Sequence, residues 1–159
     1  MMTRMDGSNA PTPVDPSPAT GFTRGGPRAL LRVEGAVVLL AAVLAYARLG
    51  AGWGLFAALF LVPDASFLGY LAGPRWGALA YNAAHSYLGP FALGLVAYLG
   101  LGVGSVGLAV ALVWGAHVGF DRMLGYGLKY ASGFRHTHLG ELGGARLGAA
   151  TSLAAKPSR

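Results

Sequence analysis

The chain has 159 residues, of which 54% are hydrophobic and only 11% charged. Soluble domains carry about 25% charged residues, so six acids and twelve bases are too few to coat a water-soluble globule of this size. The absence of cysteine excludes disulfide frameworks and cysteine metal sites, and 26 glycines without a three-residue period exclude collagen.

Residues 1–28 are polar and broken by Pro11, Pro13, Pro16, Pro18, Gly25, Gly26 and Pro27. Such a stretch buries too little apolar surface to offset the entropy of ordering, which predicts a disordered tail. A shorter tail is expected over residues 151–159, with one membrane domain over residues 29–150 between the two.

Inside that domain charge nearly vanishes. Residues 35–47, 49–63 and 76–120 contain no Asp, Glu, Lys or Arg. A bilayer-spanning helix needs roughly 20 apolar residues, so the last run suits two spans, divided at the glycines of residues 100–104. Four spans are expected, over residues 31–46, 53–71, 76–99 and 105–120. They must be helices, because backbone polar groups in lipid need internal partners. The period-two alternation of a β-barrel is not visible. The predicted fold is therefore all-α, an integral membrane bundle of about four transmembrane helices.

The bases give an orientation. Arg24, Arg28 and Arg32 precede the first span. Arg75 lies between the second and third, and Arg122, Lys129, Arg135 and Arg146 follow the fourth. With both termini in the cytoplasm, only Arg48 faces out. The formal charge of +6 then reads as a topology signal. A nucleic-acid partner is not expected, because no helix carries a basic stripe with stacking aromatics. Arg24 to Arg32, the apolar run and Ala45-Tyr46-Ala47 imitate a signal peptide, but Glu34 at the start of the apolar core and the long basic region argue against cleavage.

Ionisable groups within spans are costly and mark functional candidates. At about 1.5 Å rise per residue, Asp64 and His85 lie about 14 Å from the cytoplasmic ends of their spans, Asn82 about 9 Å and His117 about 6 Å. Asp121 sits near the boundary. All five fall in the cytoplasmic half, on three different spans. His117 and Asp121 are spaced i,i+4 and share a face. Asn82, His85, Ser86 and Gly89 share another. Gly115 and Gly119 form a small-xxx-small pair suited to close packing. Pro63 disturbs the helix just before Asp64. The plain alternatives are an interfacial hydrogen-bonded His and ion pairs of Asp64 with Arg75 or Arg122, or of Asp121 with Arg122. After the fourth span, Tyr126 and Tyr130 suit an aromatic belt. His136 and His138 offer two imidazoles, although a solvated loop is the favoured reading there. Gly102-Val103-Gly104-Ser105-Val106-Gly107 fits a dinucleotide glycine pattern but lacks the preceding strand. No nucleophile elbow or Walker loop is present.

The run from His117 to Tyr130, continuing to Thr137-His138-Leu139-Gly140, resembles the signature of a small bacterial membrane family, the domain-of-unknown-function 4260 family. Pro63-Asp64 and Tyr81-Asn82 with His85 fit its pattern, and the resemblance covers about residues 33–140. It implies a compact multi-span protein of the bacterial cytoplasmic membrane and brings no activity. A weaker resemblance joins Pro63-Asp64, His85-Ser86 and His117 with Asp121. Their order is similar to that in membrane-bound metal-dependent hydrolases of the LexA-regulated inner-membrane type, although the extra acid and His of those proteins are absent.

The expectation is a metal-dependent hydrolase acting at the cytoplasmic leaflet. Asp64, His85, His117 and Asp121 would be ligands for Zn²⁺ or Mn²⁺. Asn82 would be a catalytic residue that orients the substrate, a lipid, phosphoester or acyl ester. The alternative is a small transporter or membrane assembly protein without catalysis.

Overall fold

The computed structural model describes residue 23 and residues 25–131 and 136–141. Helix α1 is Gly26–Leu49, α2 Trp53–Phe60, the 3₁₀ helix η1 Val62–Ala72, α3 Pro74–Ala84, α4 Leu88–Tyr98 and α5 Gly104–Leu124. Two short strands, β1 (His136–Thr137) and β2 (Gly140–Glu141), form an antiparallel pair. The fold is all-α in character. Three helical stretches, Gly26–Leu49, Trp53–Ala72 and Gly104–Leu124, are long and apolar enough to cross a membrane. Of the expected N-terminal tail, residues 1–28, residues 1–22 lie outside the described residues, as do the expected tail over residues 151–159 and Arg24, Arg135 and Arg146.

Two expected boundaries move. The first helix begins at Gly26, so Pro27 and Arg28 belong to its first turn and not to a tail. Proline is favoured there because its missing N–H would have no intrahelical partner. The expected third span, residues 76–99, is two helices, α3 and α4, interrupted at residues 85–87. Pro90 accounts for the break. It fits the first turn of α4, but its ring clashes with the carbonyl four residues back and it donates no bond there, so α4 cannot run backwards into α3. Ser86 Oγ instead accepts the Leu88 N–H at 3.1 Å. Pro63 acts similarly in the second stretch, where α2 ends at Phe60 and the chain continues as η1.

The interior is rich in small and polar side chains, and most of the large apolar ones face outwards. Ala42, Ala78, Ala109, Ala111 and Ala116 are buried, whereas Leu71, Leu88, Phe91 and Tyr98 are exposed. This inverts the pattern of a water-soluble core and is the arrangement expected where the surroundings are lipid and backbones approach through small residues. The closest crossing joins α1 to α5. A Cβ on Gly119 would lie 2.8 Å from Gly35 O and Leu39 N, and one on Gly35 would lie 2.8 Å from Gly119 O. Gly115 does not share that crossing, because a Cβ there would face Pro90 of α4 at 3.9 Å. The expected small-residue pair thus serves two neighbours.

At one end of the bundle Tyr46, fully buried, packs against Trp53 and Phe56 and donates its hydroxyl to Gly52 O at 2.8 Å. At the other, α5 closes on Gly125 in a left-handed conformation (φ 94°). Its N–H and that of Tyr126 bond back to Arg122 O and Asp121 O, a helix end that glycine permits. The chain after it folds back as a cap. Leu128 N–H donates to His138 Nδ1 at 2.8 Å, and His138 N–H to Leu128 O at 3.1 Å. Thr137 and Leu139 are fully buried, so the solvated loop expected here is a packed hairpin.

A candidate metal centre

Three elements bring three side chains to one point. Asp64 comes from the first turn of η1, His85 from the residue that ends α3, and His117 from the middle of α5. Asp64 Oδ1 lies 3.4 Å from His85 Nε2 and 3.5 Å from His117 Nε2, and the two Nε2 atoms are 3.2 Å apart. One ligand atom from each lies within 4.8 Å of the others, so the group can hold a metal ion. Both imidazoles are buried, and Asp64, at 38% exposure, is its open edge.

The break in the third span is what aims His85. Its Nδ1 pairs with Tyr81 O at 3.0 Å. Because a carbonyl only accepts, Nδ1 carries the proton and Nε2 presents a lone pair. The ring stacks on Tyr81 at 3.7 Å between centroids. The last carbonyls of α3, which have no helical partner, are taken by side chains. Trp114 Nε1 donates to Ala84 O at 2.6 Å, and Arg122 Nη2 donates to His85 O at 3.1 Å. The negative end of the α3 dipole therefore ends beside the three ligand atoms, where it favours a cation. Phe60 covers the edge of His117 at 5.2 Å. His117 Nδ1 is buried without a hydrogen-bond partner among the described residues.

Asp121 stands next to this group. Its Oδ2 lies 3.5 Å from His85 Nε2 and accepts a 3.0 Å hydrogen bond from the Tyr81 hydroxyl. The alternative ion pairs with Arg122 do not form; its Nη1 donates to Tyr126 O at 3.0 Å and its Nη2 to His85 O. Asn82 points elsewhere. Its Nδ2 donates to Lys129 O at 2.8 Å and its Oδ1 accepts the Lys129 N–H at 2.7 Å, which pins the start of the cap to α3. Of the five candidates, four are brought together and Asn82 lies to one side.

Two residues were not singled out from the sequence. Tyr81 links Asp121, His85 and the cap; its sequence signals are its place beside Asn82 in the family pattern and its position one turn before His85. Lys129 is buried, with its ammonium 4.8 Å from the Tyr81 ring centroid and 5.9 Å from that of Phe67. Burial pushes this ammonium below the usual lysine range, against the opposing pull of the Asp121 carboxylate.

The family described as Domain of unknown function (DUF4260) matches residues 28–142. The chain belongs to this family, as its motifs led one to expect. No curated protein and no solved structure matches it.

Proposed function

We propose that this member of the family is a multi-pass protein of the bacterial cytoplasmic membrane whose Asp64, His85 and His117 bind a divalent metal, Zn²⁺ or Mn²⁺, for ester hydrolysis. One observation carries the reading. A tetrahedron with metal–ligand bonds of about 2.0–2.1 Å has edges of about 3.3–3.4 Å, and the three ligand atoms are 3.2, 3.4 and 3.5 Å apart. The second support is the carbonyl held by His85 Nδ1, the arrangement that fixes the tautomer of a metal-ligating histidine.

A divalent metal bound there supplies Lewis acidity and lowers the pKa of a water. Asp121, expected from the sequence as a fourth ligand, is placed to accept a proton at Oδ2 while the Tyr81 hydroxyl holds that oxygen in position. Arg122 fixes the backbone of His85, and Asn82 acts through Lys129 as a positioning residue. The substrate class is a phosphate or acyl ester of a lipid. The bilayer is the partner, and the distribution of bases supports a cytoplasmic placement for both termini and for the site.

The test is metal analysis of the detergent-purified chain beside Asp64→Ala and His117→Ala. Near-stoichiometric metal in the wild type and its loss in both variants, each still folded by thermal melting, is the expected result. A metal-free wild type, after growth and purification with added Zn²⁺ and Mn²⁺, overturns the proposal. The transporter reading requires ion flux into vesicles that disappears in the same variants.

A further inference from the structure

A cavity of about 320 Å³ adjoins the ligand trio, and its wall includes Val62, Pro63, Ser66, Ala84, Val110 and Trp114. Each ligand has a near neighbour in that wall. Pro63 precedes Asp64, Ala84 precedes His85, and Trp114 lies one turn before His117 on α5. Val110 is a further turn away on the same face. The cavity thus runs from the trio along α5 for about 10 Å, at 1.5 Å rise per residue. With the cytoplasmic placement proposed above, that direction leads toward the middle of the bilayer. Val62 is exposed, so the cavity reaches the apolar outer surface there.

The wall is apolar apart from two polar side-chain atoms. Trp114 Nε1 is committed to Ala84 O. Ser66 Oγ is buried and has no hydrogen-bond partner among the described residues. Residues three apart eclipse in a 3₁₀ helix, which stacks Ser66 behind Pro63 on the cavity side of η1. A buried hydroxyl left unpaired is costly, and a ligand carbonyl would supply the missing acceptor. Size decides between occupants. A helix about 10–12 Å across fills roughly 800 Å³ or more over 10 Å of length, so a neighbouring helix does not fit this space. A single hydrocarbon chain, far thinner, does.

We propose that this cavity receives the acyl chain of the substrate, which narrows the substrate to a fatty acyl ester with its carbonyl at the trio. The inference rests on the metal reading above and deepens it. The cavity begins at residues bonded directly to Asp64 and His85, so the tail must begin at the reacting carbon, as it does in an acyl ester. In a glycerolipid phosphoester the glycerol separates the phosphorus from the chains.

The full chain in neutral detergent, loaded with Zn²⁺, is titrated with straight-chain hydroxamic acids from acetohydroxamic to decanohydroxamic acid. Their head binds zinc, and the chain starts at the carbonyl. Equilibrium dialysis gives the free ligand concentration outside the micelles. Affinity is expected to rise about fourfold per added methylene while the tail stays within the cavity. Val62→Trp, at the exposed rim, and Val110→Phe fill the cavity. Both are expected to abolish most of that rise while binding Zn²⁺ and acetohydroxamic acid as the wild type does. A flat series in a wild type that holds Zn²⁺ and acetohydroxamic acid overturns this inference and leaves the metal reading standing, as does a full rise kept in both filled variants. Faster cleavage of bis(4-nitrophenyl) phosphate than of 4-nitrophenyl octanoate also overturns it. A wild type that takes up no Zn²⁺ overturns both readings.

Discussion

The two halves of the broken third span differ in almost every respect. Helix α3 buries Gly77, Ala78 and Tyr81, packs on η1 and delivers His85 to the ligand trio. Helix α4 carries no ionisable group other than tyrosine, buries Pro90 alone, and exposes Leu88, Phe91, Leu95 and Tyr98. It touches α5 through small residues, where a Cβ on Gly89 would enter the Trp114 ring and one on Gly94 would meet Ala111. The lesson is that one proline divides a hydrophobic run into a half that carries a side chain of the ligand trio and a half that packs on α5. Irregular backbone at membrane depth is tolerated where it is buried in protein, and here the freed carbonyls of Ala84 and His85 are taken by Trp114 and Arg122.

The sharpest way to break that contrast is to mutate both halves and read the same property. His85→Ala removes a proposed ligand and is expected to lower metal affinity at least about 100-fold, because even the partners that orient a ligand are worth about 10–100-fold. Phe91→Ala, exposed on α4, is expected to leave metal content unchanged. Equal losses in both would mean that the two halves act as one unit. Next in size is Asn82→Ala. It deletes two hydrogen bonds to the Lys129 backbone, each worth about 1 kcal/mol net. Faster amide exchange over residues 126–131 is expected, with metal retained. Metal loss without faster exchange would instead place Asn82 in the centre itself.

Pro90→Ala tests the cause of the break. Without the ring, a helical bond from residue 90 to the Ser86 carbonyl becomes possible, and α3 can extend through residues 85–87. The His85 carbonyl would turn away from Arg122. The expected result is a fold that persists with about tenfold weaker metal binding, comparable to losing one orienting partner. An unchanged affinity would show that Arg122 and Trp114 hold the break without the proline.

Much of this was legible in the sequence, and what was not has identifiable causes. The helical bundle follows from the charge-free runs, and the level shared by Asp64, His85 and His117 follows from counting residues along helices. The break at residues 85–87 was signalled by Pro90, which sits inside a run apolar enough to read as one span. Hydropathy does not register the lost N–H. Helical spacing puts Asn82 on the same face as His85, but a face persists only while a helix does, and its amide bonds to backbone partners 47 positions away. Lys129 looked like one more cytoplasmic base. Its burial depends on the cap folding back, a long-range event that spacing within one helix does not encode.

The cap offers the smallest and most specific effect. His138 Nδ1 accepts the Leu128 N–H, so this nitrogen must be unprotonated for the hairpin to close. Burial first, and then the Arg122 cation, hold His138 below its ordinary value of 6.5. The neutral form is thus favoured in the fold, and an unfolded cap binds more protons. The contribution is complete above about pH 6.5 and is lost as pH falls from there toward the depressed folded value. Amide exchange at Leu128 should therefore accelerate, beyond the intrinsic pH dependence, between neutral and mildly acidic pH, while amides of α4 do not. A His138→Gln variant, whose side-chain oxygen can accept the same N–H without titrating, should flatten that response. If α4 loosens in parallel, proton uptake acts on the whole bundle, and the separation between α4 and the half that carries His85 fails at its most sensitive point.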